Sequence, residues 1–421
     1  MKYSEDEVLQ FVEEDDVKFV RLAFCDVFGR SKNVAILADE PPRAFKYGIA
    51  IDGSSIAGFG GVEKSDLLLF PHAETIAELP WRPDTGKVVR MFCDVRTPEG
   101  EAFENDTRQV LMSAIEAAKA AGVEFMFGPE MEFYLFKTDD LGRPTAEPYD
   151  RAGYMDIAPD DKGENVRREI CLTLERMGIH PESSHHEMGP GQNEIDFRYA
   201  DALTAADNAI TFKSVVRTVA AANGLVADFS PKPLADAPGN GVHVNFSVRK
   251  ADKSSASPAG GEAGRSADAD RMALTRAAAA GIMRRIREIT LFLNPTENSY
   301  DRLGEDKAPA YVSWSAQNRS QLIRIPAAVG PYRRAELRSA DASSNPYLVF
   351  ALLIFAGLEG IADELMLPEP ANFDMFSAPE EILGTYERLP ETLPEAKEKA
   401  RTSAFVAAHL SASLVGAYCG R

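Results

Sequence analysis

Two carboxylates stand two residues apart in Gly128-Pro-Glu130-Met-Glu132-Phe133. In a strand that spacing turns both side chains to the same face. Phe125, Met126, Phe127, Phe133, Tyr134, Leu135 and Phe136 around them suggest a buried strand, where carboxylates need arginine, lysine or a metal ion to neutralise them. A second set lies in His185-His186-Glu187-Met-Gly-Pro-Gly191-Gln-Asn-Glu194-Ile-Asp196, whose Gly-Pro-Gly turn can bring Glu187 and Glu194 together. Gly189 and Pro190 would break the helix that an HExxH zinc site requires. Carboxylates outnumber imidazoles here, so the donors are hard and favour Mg²⁺ or Mn²⁺ over Zn²⁺.

Two further stretches carry chemistry. Gly239-Asn-Gly241-Val-His243-Val-Asn245-Phe-Ser247 is a Gly-rich turn running into a strand with His243, Asn245 and Ser247 on one face, and glycine lets a ligand approach the backbone closely. Arg302, Arg319, Arg324, Arg333, Arg334 and Arg338 concentrate positive charge in an otherwise acidic chain. Guanidinium groups match phosphate and carboxylate oxygens bidentately, so beside hard-metal donors they suggest phosphoryl chemistry. Each feature alone has a plainer reading: a solvated strand face, a polar turn with satisfied histidines, an ordinary hairpin turn, or surface ion pairs. Their conjunction is what points to a site. Gly58-Phe-Gly60-Gly61 fits neither a dinucleotide fingerprint nor a P-loop and reads as a loop.

The elements that must position these residues read as an α+β chain. Residues 1–104 hold short β-rich stretches such as Val17 to Phe24 and Lys87 to Phe92, expected to form a small first domain; residues 105–421 form the second. Its first helix is marked by Val110, Leu111, Ala114, Ile115 and Ala118 at helical spacing, with Asp106 as N-cap and Gly122 as stop. Strands are expected over 125–136, interrupted at Gly-Pro, and over 191–199 and 241–248, helices over 164–177 and 204–223, and a hairpin over 310–326. Asn345-Pro346 opens an apolar helix. Residues 251–269, rich in Ser, Ala and Gly, read as a surface loop.

At 421 residues the chain can bury a sizeable core, and its net charge of −19 repels nucleic acid and anionic membrane alike. No apolar run reaches the ~18 residues that span a bilayer, and the N-terminal residues lack a secretory signal, so the expected compartment is the cytoplasm. Cys25, Cys93, Cys171 and Cys419 form no CxxC pair and read as reduced hydrophobes.

The motifs resemble the glutamine synthetases, specifically the shorter bacterial and archaeal type. The resemblance rests on Gly48-Ile-Ala-Ile-Asp52-Gly-Ser-Ser55, the Glu130/Glu132 strand, His185-His-Glu187 with Gly191-Gln-Asn-Glu194, Phe229-Ser-Pro-Lys-Pro233 and Asn294 to Arg302. Asn318-Arg-Ser320, Ile323 to Pro326, Glu336-Leu-Arg338 and Asn345-Pro-Tyr347 continue it in the same order, from about residue 15 to about 365.

The resemblance implies a β-grasp-like N-terminal domain, a catalytic domain with a curved antiparallel sheet and helices, and a homo-oligomer of stacked hexameric rings, a dodecamer, with each site between neighbouring subunits. It implies two Mg²⁺ or Mn²⁺ ions, one on Glu132, Glu187 and Glu194 and the other on Glu130, His243 and Glu336. Arg302 and Gly239 would hold L-glutamate. Arg319, Arg324, Arg334 and Arg338 would face phosphates, Arg338 also serving the substrate; Glu182 and Ser247 would contact the nucleotide. Asp52 from a neighbour and Tyr154 would stand near the amine. ATP would phosphorylate the glutamate side chain and ammonia would displace the phosphate. Departures from the family are Pro238 for a glutamate-contacting Asn, Asn245 for a frequent second His, and an ending that diverges after about residue 370. In the flap, Asp306-Lys307-Ala308-Pro309 puts a lysine where ammonia-using enzymes have an acid, so Lys307 joins Asp52 and Arg319 among the residues expected to act at the reacting groups. That lysine leaves a γ-glutamyl ligase for another amine as the competing expectation, and a non-catalytic ring-forming homologue as the third.

Overall fold

The computed structural model describes residues 3–82, 85–251, 262–328 and 330–420. Its first sheet has the order Ser31–Leu37, Val17–Cys25, Lys87–Arg96, Asp66–Pro71, Ile49–Asp52, with Ala77–Glu78 added on Lys87–Arg96. Val17–Cys25 and Lys87–Arg96 run parallel at its centre, and both are largely buried, as strands rich in Val, Leu and Phe require. This is the small β-domain expected from the sequence.

The second sheet is built around one long strand, Val123–Thr138, which runs without the expected interruption at Gly128-Pro129, both paired with Val242–Lys250. Across the sheet the order is Trp314–Ser315, Ile323–Arg324, Ala335–Leu337, Val242–Lys250, Val123–Thr138, Gln192–Phe197, Pro181–His186. The central pairs are antiparallel and in register so that Glu130 lies between His243 and Asp196, and Glu132 beside Glu194. The alternation of side chains then divides the sheet. Met131, Phe133, Ile195, Val244, Phe246 and Leu337 are buried in the core on one face, and the acidic residues between them line the other.

Helices Thr107–Ala120, Ala202–Ala222, Glu262–Leu293 and Pro346–Ala362 accompany the sheet. Pro346–Ala362 is apolar on every side and buried throughout most of its length; Phe350 stacks on Phe127 of the long strand at 4.4 Å. It crosses Glu262–Leu293 at glycine: a Cβ at Gly281 would stand 2.2 Å from the Ala356 carbonyl oxygen, so only glycine permits this approach. Asp106 caps Thr107–Ala120 by accepting from the Arg108 amide at 3.0 Å, and Asn345 caps Pro346–Ala362 by accepting from Tyr347 at 3.1 Å, both as the sequence suggests.

Two further expectations fail. The 310–326 segment is not a hairpin: Trp314–Ser315 and Ile323–Arg324 pair in parallel, because the connection between them is drawn aside onto the C-terminal segment, where Asn318 and Gln321 amides donate to the Phe373 carbonyl at 2.5 and 3.1 Å. Within 251–269, residues 262–269 belong to the start of a long helix, and 252–261 lie outside the described residues. No helix among the described residues is long and apolar enough to cross a membrane.

Candidate active site

The polar face of the large sheet opens into a cavity of about 550 Å³. Its lining gathers motifs that are far apart in sequence: Glu130, Glu132, Glu187, Glu194 and His243; Arg302, Arg319, Arg324, Arg334 and Arg338; and Tyr154, Gly239 and Lys307. Glu336 is fully buried behind them.

One side of this site is charge-balanced. Glu130 accepts from Asn245 Nδ2 at 2.8 Å and lies 3.2 Å from His243 Nδ1. Arg334 Nε donates to Asn245 Oδ1 at 2.6 Å, so Asn245 passes the arginine's influence to the carboxylate. Burial alone would raise the Glu130 pKa, but His243, Asn245 and Arg334 bring it down to about 2. Glu336 sits between Arg324, whose Nε donates at 2.8 Å, and Arg338. Against its burial, His243 and the two arginines hold its carboxyl below the ordinary range.

The other side is not balanced. Glu132 accepts from the Gly241 amide at 2.6 Å, yet burial and Glu187 push its pKa up. Glu194, 7% exposed, lies 3.8 Å from His185 Nε2 and pairs with no lysine or arginine among the described residues; burial, then Asp196 and Glu132, drive its carboxyl well above the usual range. Asp196 is pushed up to about 6 by burial and Glu130, and its Oδ1 is buried with no hydrogen-bond partner. Glu187 is the exception, lowered despite burial by His185 Nε2 at 3.0 Å and by the Met188 amide.

These donors fit divalent cations. Ligating atoms of Glu130, His243 and Glu336 lie within 4.8 Å of one another, as do those of Glu132, Glu194 and His243, and of His185, Glu187 and Glu194. The triad implied for one ion therefore forms as a group, while Glu132, Glu187 and Glu194 meet through Glu194, which both of the other groups share. His185 and Asp196 stand in the sequence motif with no role implied for them; their place beside Glu194 follows from strand register, Asp196 opposite Glu130 and His185 opposite Glu194.

The remaining candidates divide by position. Arg302 is buried, its guanidinium donating to the Ser339 and Arg338 carbonyls at 2.9 and 3.3 Å; a Cβ at Gly241 would stand 2.5 Å from its terminal nitrogen, and one at Gly239 2.3 Å from the Pro231 carbonyl oxygen. Asp52, Glu182 and Ser247 do not line the cavity. Asp52 is exposed on the first domain, where it accepts from the Ser54 amide at 2.9 Å. Glu182 is exposed on Pro181–His186, and the buried Ser247 hydroxyl bonds to the Tyr199 hydroxyl.

A β-grasp-type domain joined to a large curved sheet that carries hard-metal donors facing arginines defines a two-domain, metal-dependent class of enzyme. Residues 16–98 match the glutamine synthetase beta-Grasp domain and residues 104–420 the glutamine synthetase catalytic domain; the chain belongs to the glutamine synthetase family. The catalytic match continues past residue 370, so the C-terminal sequence divergence stays within the family's extent. A glutamine synthetase of Clostridium saccharobutylicum is 46% identical over 90% of this chain and 85% of its own length. One from Methanosarcina mazei is 46% identical over 89% and 82%. Among solved structures, a "GmaS/ADP complex" is 28% identical with a TM-score of 0.86, covering 98% of this chain and 94% of that one. Glutamine synthetase of Plasmodium falciparum, 21% identical, shares the fold at a TM-score of 0.85, covering 100% and 95%.

Proposed function

We propose that this chain is an ATP-dependent ligase that joins the γ-carboxylate of L-glutamate to ammonia through a γ-glutamyl phosphate. The observation that carries the reading is the meeting of uncompensated carboxylates and a set of arginines in one cavity. Glu130, His243 and Glu336 would hold one Mg²⁺ or Mn²⁺, and Glu132, Glu187 and Glu194 another. When bound, such ions neutralise charge on the phosphates of ATP.

The chain's own residues supply the rest. Arg302, fixed by two carbonyls and with no carboxylate paired to it among the described residues, takes a glutamate carboxylate against the Gly239 turn. A γ-carboxylate oxygen attacks the terminal phosphorus of ATP and ADP leaves. Arg319, Arg324, Arg334 and Arg338 disperse charge on the transferring group. The amine nitrogen then attacks the acyl carbon, the carbon–oxygen bond to phosphate breaks, phosphate leaves with the electron pair, and a nitrogen proton passes to a carboxylate. Glu182 and Ser247 serve the nucleotide; Tyr154, Lys307 and Asp52 serve the amine.

Asp52 gives this reading its quaternary requirement. On its own subunit it does not line the cavity, so it acts at the amine only when a neighbouring copy delivers it, in a homo-oligomer of stacked hexameric rings, a dodecamer. A cytoplasmic location completes the reading. The test is phosphate release from ATP with L-glutamate, ammonium and Mg²⁺ or Mn²⁺, with glutamine identified by mass. Release that depends on glutamate and falls at least a hundredfold in Glu336→Ala is expected; release indifferent to glutamate rejects the ligase reading.

A further inference from the structure

The loop that closes over the cavity carries three charges in succession, and the fold separates them. Glu305 and Asp306 turn to Lys232, whose Nζ stands 3.0 and 3.2 Å from their carboxylates. Lys232 is nearly buried, 6% exposed in its side chain, so this double pair anchors the loop to the body of the domain. Lys307 goes the other way. Asp306 and Lys307 both adopt left-handed backbone, with φ of 46° and 72°, a conformation that costs a non-glycine residue and persists only where the surroundings hold it.

That twist directs Lys307 across the cavity rim. Its Nζ lies 3.3 Å from the Met188 sulfur and 5.9 Å from the centre of the Tyr154 ring. Neither neighbour carries a negative charge, and no carboxylate pairs with Lys307 among the described residues. Beyond it, Tyr154 packs edge-on against His185, which holds Glu187. An acceptor amine approaching the acidic wall therefore passes an exposed lysine amine that no carboxylate among the described residues pairs with. Like charge repels an ammonium ion there, whereas a carboxylate borne by the acceptor gains a charge-assisted hydrogen bond while its amine points inward.

We propose that Lys307 gives this enzyme a second class of acceptor, amines that carry a carboxylate of their own, and weakens its capture of ammonium. The inference rests on the ligase reading above. The free-base nitrogen of the acceptor attacks the acyl carbon of γ-glutamyl phosphate; the carbon–nitrogen bond forms, inorganic phosphate leaves with the electron pair of the broken carbon–oxygen bond, and a nitrogen proton passes to a wall carboxylate. ATP and L-glutamate, both consumed in forming the γ-glutamyl phosphate, are the only co-reactants.

The test uses the assembled protein with Mg²⁺, ATP and L-glutamate, offering ammonium, methylamine, glycine or 4-aminobutyrate and identifying products by mass. Glycine or 4-aminobutyrate conjugates are expected, at rates above the uncharged-substituent control methylamine. Lys307→Glu is expected to raise the KM of the carboxylated acceptor at least tenfold, lower that of ammonium about tenfold, and leave that of glutamate within twofold. Lys232→Met, which frees Glu305 and Asp306, should move the ammonium KM the same way. Absence of both conjugates, or a Lys307→Glu effect confined to glutamate, overturns the proposal. If no acceptor supports phosphate release, the ligase reading falls instead, and calorimetry with 4-aminobutyrate decides the subsite: binding lost in Lys307→Glu upholds it, equal or absent binding overturns it.

Discussion

The seam between the two domains and the cavity on the large sheet both bury several charged groups, and they treat them in opposite ways. At the seam Arg108 forks onto Asp207 with two contacts of 3.1 Å and stands 3.6 Å from Asp94. Asp207 also accepts from the Tyr347 hydroxyl at 2.6 Å, and Asp94 lies 2.5 Å from His72. Arg108 thus has two carboxylates within reach inside the protein. In the cavity Glu132, Glu194 and Asp196 face one another, and their carboxyls are held up in pKa rather than neutralised by a cation. A closed network holds a fold together, whereas an unclosed one leaves a place for a charge that the chain does not supply.

The largest effect should come from opening the closed network. Asp207→Ala leaves Arg108 buried beside a lost partner and should cost about 3–5 kcal/mol of stability, read as a lower denaturation midpoint with unchanged m-value. A loss below about 1 kcal/mol would mean the seam is no more than a set of solvent-screened pairs. Next in size is closing the open network. Mg²⁺ or Mn²⁺ at a hundred times its Kd should stabilise the parent by about 2.7 kcal/mol. Glu194→Gln should remove that gain while raising the melting temperature of the metal-free protein, since it deletes a repelled carboxylate. A metal effect equal in both proteins would break the comparison.

The smallest effect sharpens the comparison within the core beside the seam. Lys213 is buried on Ala202–Ala222, its Nζ donating to the Ser344 carbonyl at 3.0 Å, and burial, reinforced by Arg217, pushes its pKa down to about 7. The unfolded chain keeps that proton to about pH 10.4. Between these values the unfolded state binds more protons, so stability rises as pH rises. Going from pH 7 to 8 should therefore stabilise the parent by about 1 kcal/mol relative to Lys213→Met, measured by paired denaturant melts; parallel pH profiles would show that Lys213 carries no such penalty.

What the sequence determined by itself is what depends on local periodicity and chain direction. Alternation on a strand is enough to put Glu130 and Glu132 on one face, and His243 and Asn245 on another such face. Asp106 and Asn345 announce their helices because a cap bonds to backbone two residues away. The turn at 189–191 is legible for the same reason. The segment 310–326 misled because its two short strands are placed by contacts to Phe373, far along the chain, and not by the residues between them.

Tertiary structure alone decided which charges meet. Strand register sets Asp196 opposite Glu130 and His185 opposite Glu194, and a slip of one residue would send each to the other face. Nothing near residue 305 in sequence says that Lys232 holds Glu305 and Asp306, or that Lys307 is thereby left to face Met188 and Tyr154. Residue types and their spacing fix what chemistry a chain can do; Coulomb energies fall off with distance through space, so which of those groups is neutralised, and which waits for a ligand, is settled only once the chain has folded.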